Sequence, residues 1–176
     1  GTHLPDINLA MPVFIDDAPV AFVCNIAHHA DVGGMAPGSM AGGMSEIYQE
    51  GLRIPVVKLF RAGTLQEDVF EILILNVRIP EERRGDYYAQ IASCRLGERR
   101  LKEAAETHSI ALLQSAFDEI VERTEHRMRE GVARIPDGTY TFEDVMDDDG
   151  LGTVDIPIRA KIIVTGDHIK FDFTGT

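Results

Sequence analysis

Apolar residues change their spacing twice along this chain, from a period of two to a helical period and back, and few architectures accommodate that switch. After Pro80, a favoured first helical residue, Tyr87, Ile91, Cys94, Leu101 and Ala105 recur at spacings of 4, 3, 7 and 4, which keeps them on one face. Charged Glu98, Arg99, Lys102, Glu103 and Glu106 crowd the rest of that surface. A second stripe, Ile110, Leu113, Phe117, Ile120, Thr124 and Met128, runs until Gly131 and Pro136 end it, so the stretch 67–131 reads as helical, with a long antiparallel helical hairpin as the economical solution. Strand signals lie on both sides. The fold class expected is α+β: a β-hairpin and mixed strands, the helical hairpin, then a β-meander over 138–176, all in one unit of 1–176.

The first strands are expected over Ile7 to Phe14 and Val20 to Ala27, with Asp16-Asp17-Ala18-Pro19 as the turn between them. Residues 33–51 hold six glycines interleaved with Met35, Met40 and Met44, too aperiodic for a helix or strand, which predicts a functional loop or lid. Arg53 to Phe60 resembles a third strand with Pro55 placing it at an edge, and Glu67 to Asn76 a short helix. The meander is read from 139–143, the turn Asp147-Asp148-Asp149-Gly150, Val154 to Val164, and Ile169 to Phe173 beyond Gly166-Asp167.

Composition narrows the partners. Seventeen Lys and Arg against 29 Asp and Glu give a net charge of −12, a field that repels a phosphate backbone, and no basic patch offsets it; no nucleic-acid partner is expected. The longest apolar run, Ile72 to Leu75, is far short of the roughly 18 residues of a membrane span, so no membrane partner is expected and cytoplasmic placement is. Cys24 and Cys94 match no metal or disulfide spacing and are expected to be reduced, buried thiols. The ends of the chain, Gly1-Thr2-His3 and Asp172-Phe173-Thr174-Gly175-Thr176, suggest a fragment.

Several constellations fail on inspection. Gly38 to Ser45 reproduces the spacing of a phosphate loop, but Met44 stands where a lysine must meet the outer phosphates, so nucleotide is not expected here. Aligning Gly150 with the glycine of a calcium loop puts Val145 and Ile156 where oxygen donors are required, which leaves a solvated acidic turn. His108, His126 and His168 stand alone and are expected at the surface or packed.

One cluster survives. His3, Asp6, His28, His29 and Asp31 lie at the open end of the first hairpin. With the turn near Asp17, cross-strand positions sum to about 34, setting Asp6 opposite His28 and His3 opposite Asp31, with Cβ atoms roughly 5 Å apart, close enough to share an ion. Adjacent strand residues face opposite ways, so His28 rather than His29 is chosen for that ion. Two imidazoles and one carboxylate leave coordination positions open and suit Zn, Mn or Fe(II) without selecting among them.

The segments Gly1-Thr2-His3-Leu4-Pro5-Asp6, His28-His29-Ala30-Asp31-Val32-Gly33-Gly34 with Pro37-Gly38-Ser39, and Gln49-Glu50-Gly51-Leu52-Arg53-Ile54-Pro55 resemble the hydantoinase B/oxoprolinase family. Asn76-Val77-Arg78, Gly85-Asp86 with Ala89-Gln90, Asp147-Asp148-Asp149-Gly150 and Asp172-Phe173-Thr174-Gly175 are similar to its later blocks in the same order. One departure is Val56, where a second proline belongs. The resemblance implies a fragment of a much longer subunit, because family chains are several times this length. In the related ketone carboxylases a Mn ion is held by a histidine, an aspartate three residues on and a second histidine about twenty-five positions after the first; the resemblance carries that set onto His3, Asp6 and His28.

The resemblance further implies a hetero-oligomer in which an ATP-binding hydantoinase A-like subunit phosphorylates the oxygen of a poorly electrophilic amide or ketone, with ATP bound there and not here. This chain would then handle the activated species with a divalent metal (Mn, Zn or Fe). His29 and Asp31 are the candidates for proton transfer or for orienting the ligands, His29 less so if it faces away, and the Gly-Met loop would close over the site. The reaction implied is hydrolytic opening of a hydantoin or 5-oxoproline-type ring. The alternatives are carboxylation of acetone or acetophenone, and a non-catalytic scaffold.

Overall fold

In the computed structural model, which describes residues 3–176, alternation of apolar and polar side chains produces the first hairpin from β1 (Asp6–Ile15) and β2 (Ala18–His28). Gly1 and Thr2, part of the first family-like block, lie outside the described residues. The turn is tighter than expected, since only Asp16 and Asp17 are left unpaired, both at positive φ (50° and 62°). That two-residue conformation matches strand twist and suits Asp. A bulge between Val13 and Phe14 then shifts the register, and from Val13↔Ala21 outward the paired positions sum to 34, ending in Asp6↔His28.

β2 leads into the glycine-rich loop, which contains one turn of helix, α1 (Ile47–Glu50), where none was expected. The third strand expected over Arg53 to Phe60 is absent: only Phe60–Arg61 (β3) pairs, with Thr64–Leu65 (β4). Pro55 lacks the N–H a ladder needs, and Leu52, Ile54 and Leu59 instead turn inward. They pack on the core formed by Phe70, Leu73 and Ile74 of α2 (Glu67–Leu75) and Tyr87 of α3 (Pro80–His108). The first helical stripe does its predicted work, with Tyr87, Ile91 and Cys94 buried. β2 lies against this helix so closely that a Cβ on Gly97 would sit 2.7 Å from Val23 Cγ1.

Helix α4 (Ile110–Val132) follows a break at Ser109 (φ 69°), whose Oγ accepts the Leu112 N–H and caps the new helix. Its apolar stripe stays largely exposed, with Phe117, Ile120 and Met128 on the surface. The meander is longer in its first strand than expected: β5 (Gly138–Asp148), β6 (Val154–Thr165) and β7 (His168–Asp172) form one antiparallel sheet in that order. Tyr140 opposite Ile162, and Ile162 opposite Phe171, share one face.

The chain divides into two compact units, Gly1–Thr107 and His108–Thr176, whereas the sequence reading treats it as one. No helix among the described residues is long and apolar enough to cross a membrane. Both cysteines are free, but Cys24 is exposed on β2 and not buried as expected, because its side chain falls on the outer face of the strand; Cys94 is buried, and burial pushes its thiol pKa up.

Candidate metal centre

The register of the first hairpin delivers Asp6, the first residue of β1, beside His28, the last of β2. His3 reaches the same point from the bend before β1. His28 Nδ1 lies 2.8 Å from His3 Nε2 and 3.0 Å from Asp6 Oδ1, and His3 Nε2 lies 3.2 Å from Asp6 Oδ1. These are the residues among those described whose donor atoms converge within 4.8 Å of one another. The His28 side chain is 51% exposed, so the cluster opens to solvent. Its hydrogen bond to Asp6 holds that carboxyl below the ordinary carboxylate range.

The donor set tests well against a divalent cation. His28 Nδ1 faces both the His3 nitrogen and the Asp6 oxygen, and His3 Nε2 faces the same oxygen, so one cation would answer all three lone pairs with both rings neutral. The separations of 2.8 to 3.2 Å admit one divalent cation shared by all three side chains, and two histidines and a carboxylate leave coordination positions open.

The expected pairing of His3 with Asp31 does not occur. β2 ends at His28, and Asp31 is drawn away by Arg78, whose backbone N–H donates to Oδ2 at 2.8 Å and whose guanidinium meets Oδ1 at 2.6 Å. Burial raises the Asp31 pKa, and the Arg78 contacts outweigh it, so the carboxyl sits below its ordinary value. The same guanidinium donates to the carbonyls of Gly33 and Gly34, pinning the start of the loop. His29 faces away from the cluster, as alternation requires. It is 2% exposed, its ring tilted 30° against that of Tyr87 with centroids 4.4 Å apart and its Nε2 bonded to Gln90 Oε1 at 3.1 Å, while its backbone N–H donates to the Pro5 carbonyl at 2.8 Å. Burial pushes the Tyr87 phenol up to about 12. His108, His126 and His168 lie on the surface, as expected.

Sequence reasoning missed three contributors. Arg78, Gln90 and Ser39, whose Oγ accepts the Val32 N–H at 2.7 Å and donates to the Gly33 carbonyl at 2.8 Å, are all within the family-like blocks, but nothing in their spacing announces their partners 6 to 83 positions away. Beside the cluster a groove of about 760 Å³ runs along Leu4, Val32, Gly33, Gly34, Tyr48 and Arg53. The Arg53 guanidinium lies over the Tyr48 ring there, 5.0 Å from its centroid.

An antiparallel hairpin that gathers His3, Asp6 and His28 at its open end and packs on α3 defines an α+β module with a candidate metal centre. The chain belongs to the hydantoinase B/oxoprolinase family, whose model matches residues 1–176. It is 38% identical to an uncharacterized protein of Methanocaldococcus jannaschii over 100% of this chain and 31% of that one. It is 33% identical to the caprolactamase subunit beta of Pseudomonas jessenii, over 96% of this chain and 29% of that one. The crystal structure of the ATP-dependent caprolactamase from Pseudomonas jessenii superposes with a TM-score of 0.90 at 32% identity, covering 97% of this chain and 30% of that one. An acetone carboxylase structure shares the fold, with a TM-score of 0.82 at 21% identity over 97% of this chain and 24% of that one. The chain thus spans about a third of the length of the relatives it matches.

Proposed function

We propose that this chain is the metal-holding part of a subunit of an ATP-dependent cyclic amidohydrolase, which opens a hydantoin or 5-oxoproline-type ring after a partner subunit has activated it. The observation that carries this reading is the convergence of one aspartate and two histidine donors on a solvent-facing edge. Family membership and the likeness to a caprolactamase, which acts on a cyclic amide, support the reaction class. The name of that relative as a subunit beta supports a partner, here an ATP-binding hydantoinase A-like subunit; Met44 in place of a phosphate-loop lysine agrees with ATP being bound elsewhere.

His3, Asp6 and His28 would hold the ion, and a set of two imidazoles and one carboxylate suits Mn, Zn or Fe(II). A divalent cation bound there supplies Lewis-acid stabilisation of charge developing on the oxygen of the attacked carbon. Asp6 would contribute a charged oxygen and the two imidazoles neutral nitrogens, a set that leaves coordination open to water and substrate. His29 faces Gln90, so its part is to hold the hairpin end against α3 through Pro5 and Gln90. Asp31 fixes Arg78 and through it the carbonyls of the loop. The exposed Met35 and Met40 give the loop a soft apolar surface toward a ring substrate.

The test uses the full-length protein purified with its partner and without chelator. Elemental analysis should find near-stoichiometric Mn, Zn or Fe, and His28→Ala should remove it and lower ATP-dependent ring opening at least about 100-fold. Turnover retained by His28→Ala would overturn the reading in favour of a scaffold. Bicarbonate-dependent consumption of acetone with no ring opening would replace it with carboxylation.

A further inference from the structure

The peptide joining His3 to Leu4 is held at both of its polar ends. Its carbonyl accepts the Asp6 N–H at 3.3 Å, a bond within the ligand bend itself. Its N–H donates to Glu50 Oε1 at 2.8 Å, a partly buried contact across 46 positions. Peptide planarity makes such a double attachment a fix on the whole unit: with N–H and C=O both anchored, the plane cannot rotate, and the His3 Cα attached to it cannot swing.

Glu50 is itself held in place. It ends α1, and the backbone on either side is bonded to the strand-like run after His29: Met35 N–H to the Gln49 carbonyl at 2.8 Å, and Leu52 N–H to the Val32 carbonyl at 2.9 Å. The two stretches approach so closely that a Cβ on Gly34 would lie 2.5 Å from the Gln49 carbonyl oxygen and 2.6 Å from that of Glu50, and one on Gly51 would lie 2.8 Å from that of Val32. Only glycine fits at either position. Arg78 completes the frame by binding the Gly34 carbonyl at 2.8 Å.

We propose that Glu50 is a positioning residue of the metal centre: its carboxylate, carried by the glycine-rich loop, fixes the His3–Leu4 peptide and so aims the His3 ring at Asp6 and His28. The role needs an acceptor oxygen at that place and not a charge. It couples the loop to the ligands, because a loop that lifts takes Glu50 with it and releases His3. This inference rests on the metal reading above.

The measurement is titration of Mn²⁺ into the metal-free full-length protein, followed by calorimetry, for wild type, His28→Ala, Glu50→Met, Glu50→Gln and Gly34→Ala. Glu50→Met keeps the length and removes the acceptor, and it should weaken Mn²⁺ binding about 10- to 100-fold, the range for groups that orient metal ligands. Glu50→Gln keeps an oxygen for the Leu4 N–H and should bind within about threefold of wild type. Gly34→Ala displaces the Glu50 backbone without touching the carboxylate and should weaken binding as Glu50→Met does, which provides a second route should the methionine variant not fold. Wild-type affinity in Glu50→Met or Gly34→Ala would overturn the proposal, and so would equal weakening in Glu50→Gln and Glu50→Met, since charge would then be what matters. Wild-type protein that takes up no Mn²⁺, or takes it up no better than His28→Ala, would sink the metal centre itself and this inference with it.

Discussion

At the open end of the β1–β2 hairpin, Asp6 shares its carboxylate with two imidazoles; at the closed end of the β5–β6 hairpin, Asp148 and Asp149 turn theirs on their own backbone. Asp148 Oδ1 accepts the Gly150 N–H at 2.8 Å, and Asp149 Oδ1 accepts those of Leu151 and Thr153 at 2.8 and 3.0 Å. Both Asp6 and Asp149 are held below the ordinary carboxylate range, yet for different reasons: a histidine ring for the first, and contacts with Thr153 and the Leu151 N–H for the second. An acidic cluster is thus no evidence of a cation by itself. What matters is whether its lone pairs are already taken by the turn that brings the carboxylates together.

The sharpest way to break this comparison is to mutate both ends. Asp6→Asn should lower the metal content of the full-length protein by about 100-fold or more, while Asp148→Asn with Asp149→Asn should leave it at the wild-type level; elemental analysis reads both. Equal losses would mean that the two ends do not differ as described.

Anchorage differs as well. The first hairpin is pressed onto α3 at Gly97, so Gly97→Ala should cost about 1–3 kcal/mol by overpacking against the stiff Val23 side chain. Gly85 lies in the same helix, and a methyl group there would meet nothing within 4 Å, so Gly85→Ala should instead stabilise by about 0.5–1 kcal/mol. Urea unfolding of the full-length protein measures both, and a shared sign would contradict the packing described.

Smaller effects concern pH and the acidic turn. The folded pKa of Asp31 lies below its ordinary value of 3.8, so the carboxylate contributes stability that is present above about pH 4 and lost as pH falls through the lowered value. Asp31→Asn should remove about 1 kcal/mol at neutral pH, allowing for the partial exposure of Arg78, and should flatten the acid limb of an unfolding-midpoint profile. Asp149→Ala removes an acceptor from an exposed turn and should lower the unfolding midpoint less than Asp31→Asn does.

Much of this was legible because it is local. The hairpin, α2, the break after a long α3, and the meander all follow from periodicity and turn residues, and the Asp6–His28 pairing follows from a count along the two strands. Even there the count succeeded through a feature it did not contain: the turn holds two residues, and the bulge at Val13/Phe14 restores the register that a longer turn was assumed to set. The strand read at 53–60 failed because a run of β-branched residues with a proline looks alike whether it pairs or folds its apolar side chains onto a neighbouring helix.

Residue order alone determined which donors exist, that His28 and His29 must face opposite ways, and that Met44 stands at the lysine position of the phosphate-loop spacing in Gly38 to Ser45. Tertiary structure decided what each one meets. Asp31 looked like a partner for His3 until Arg78, 47 positions on, claimed both of its oxygens, and Glu50 was only part of a block until the loop folded back to place it at the Leu4 N–H. Contacts between residues so far apart depend on the path of the intervening loop, and the free energy that selects that path comes from burial and close backbone approach across the whole module, which no local spacing encodes.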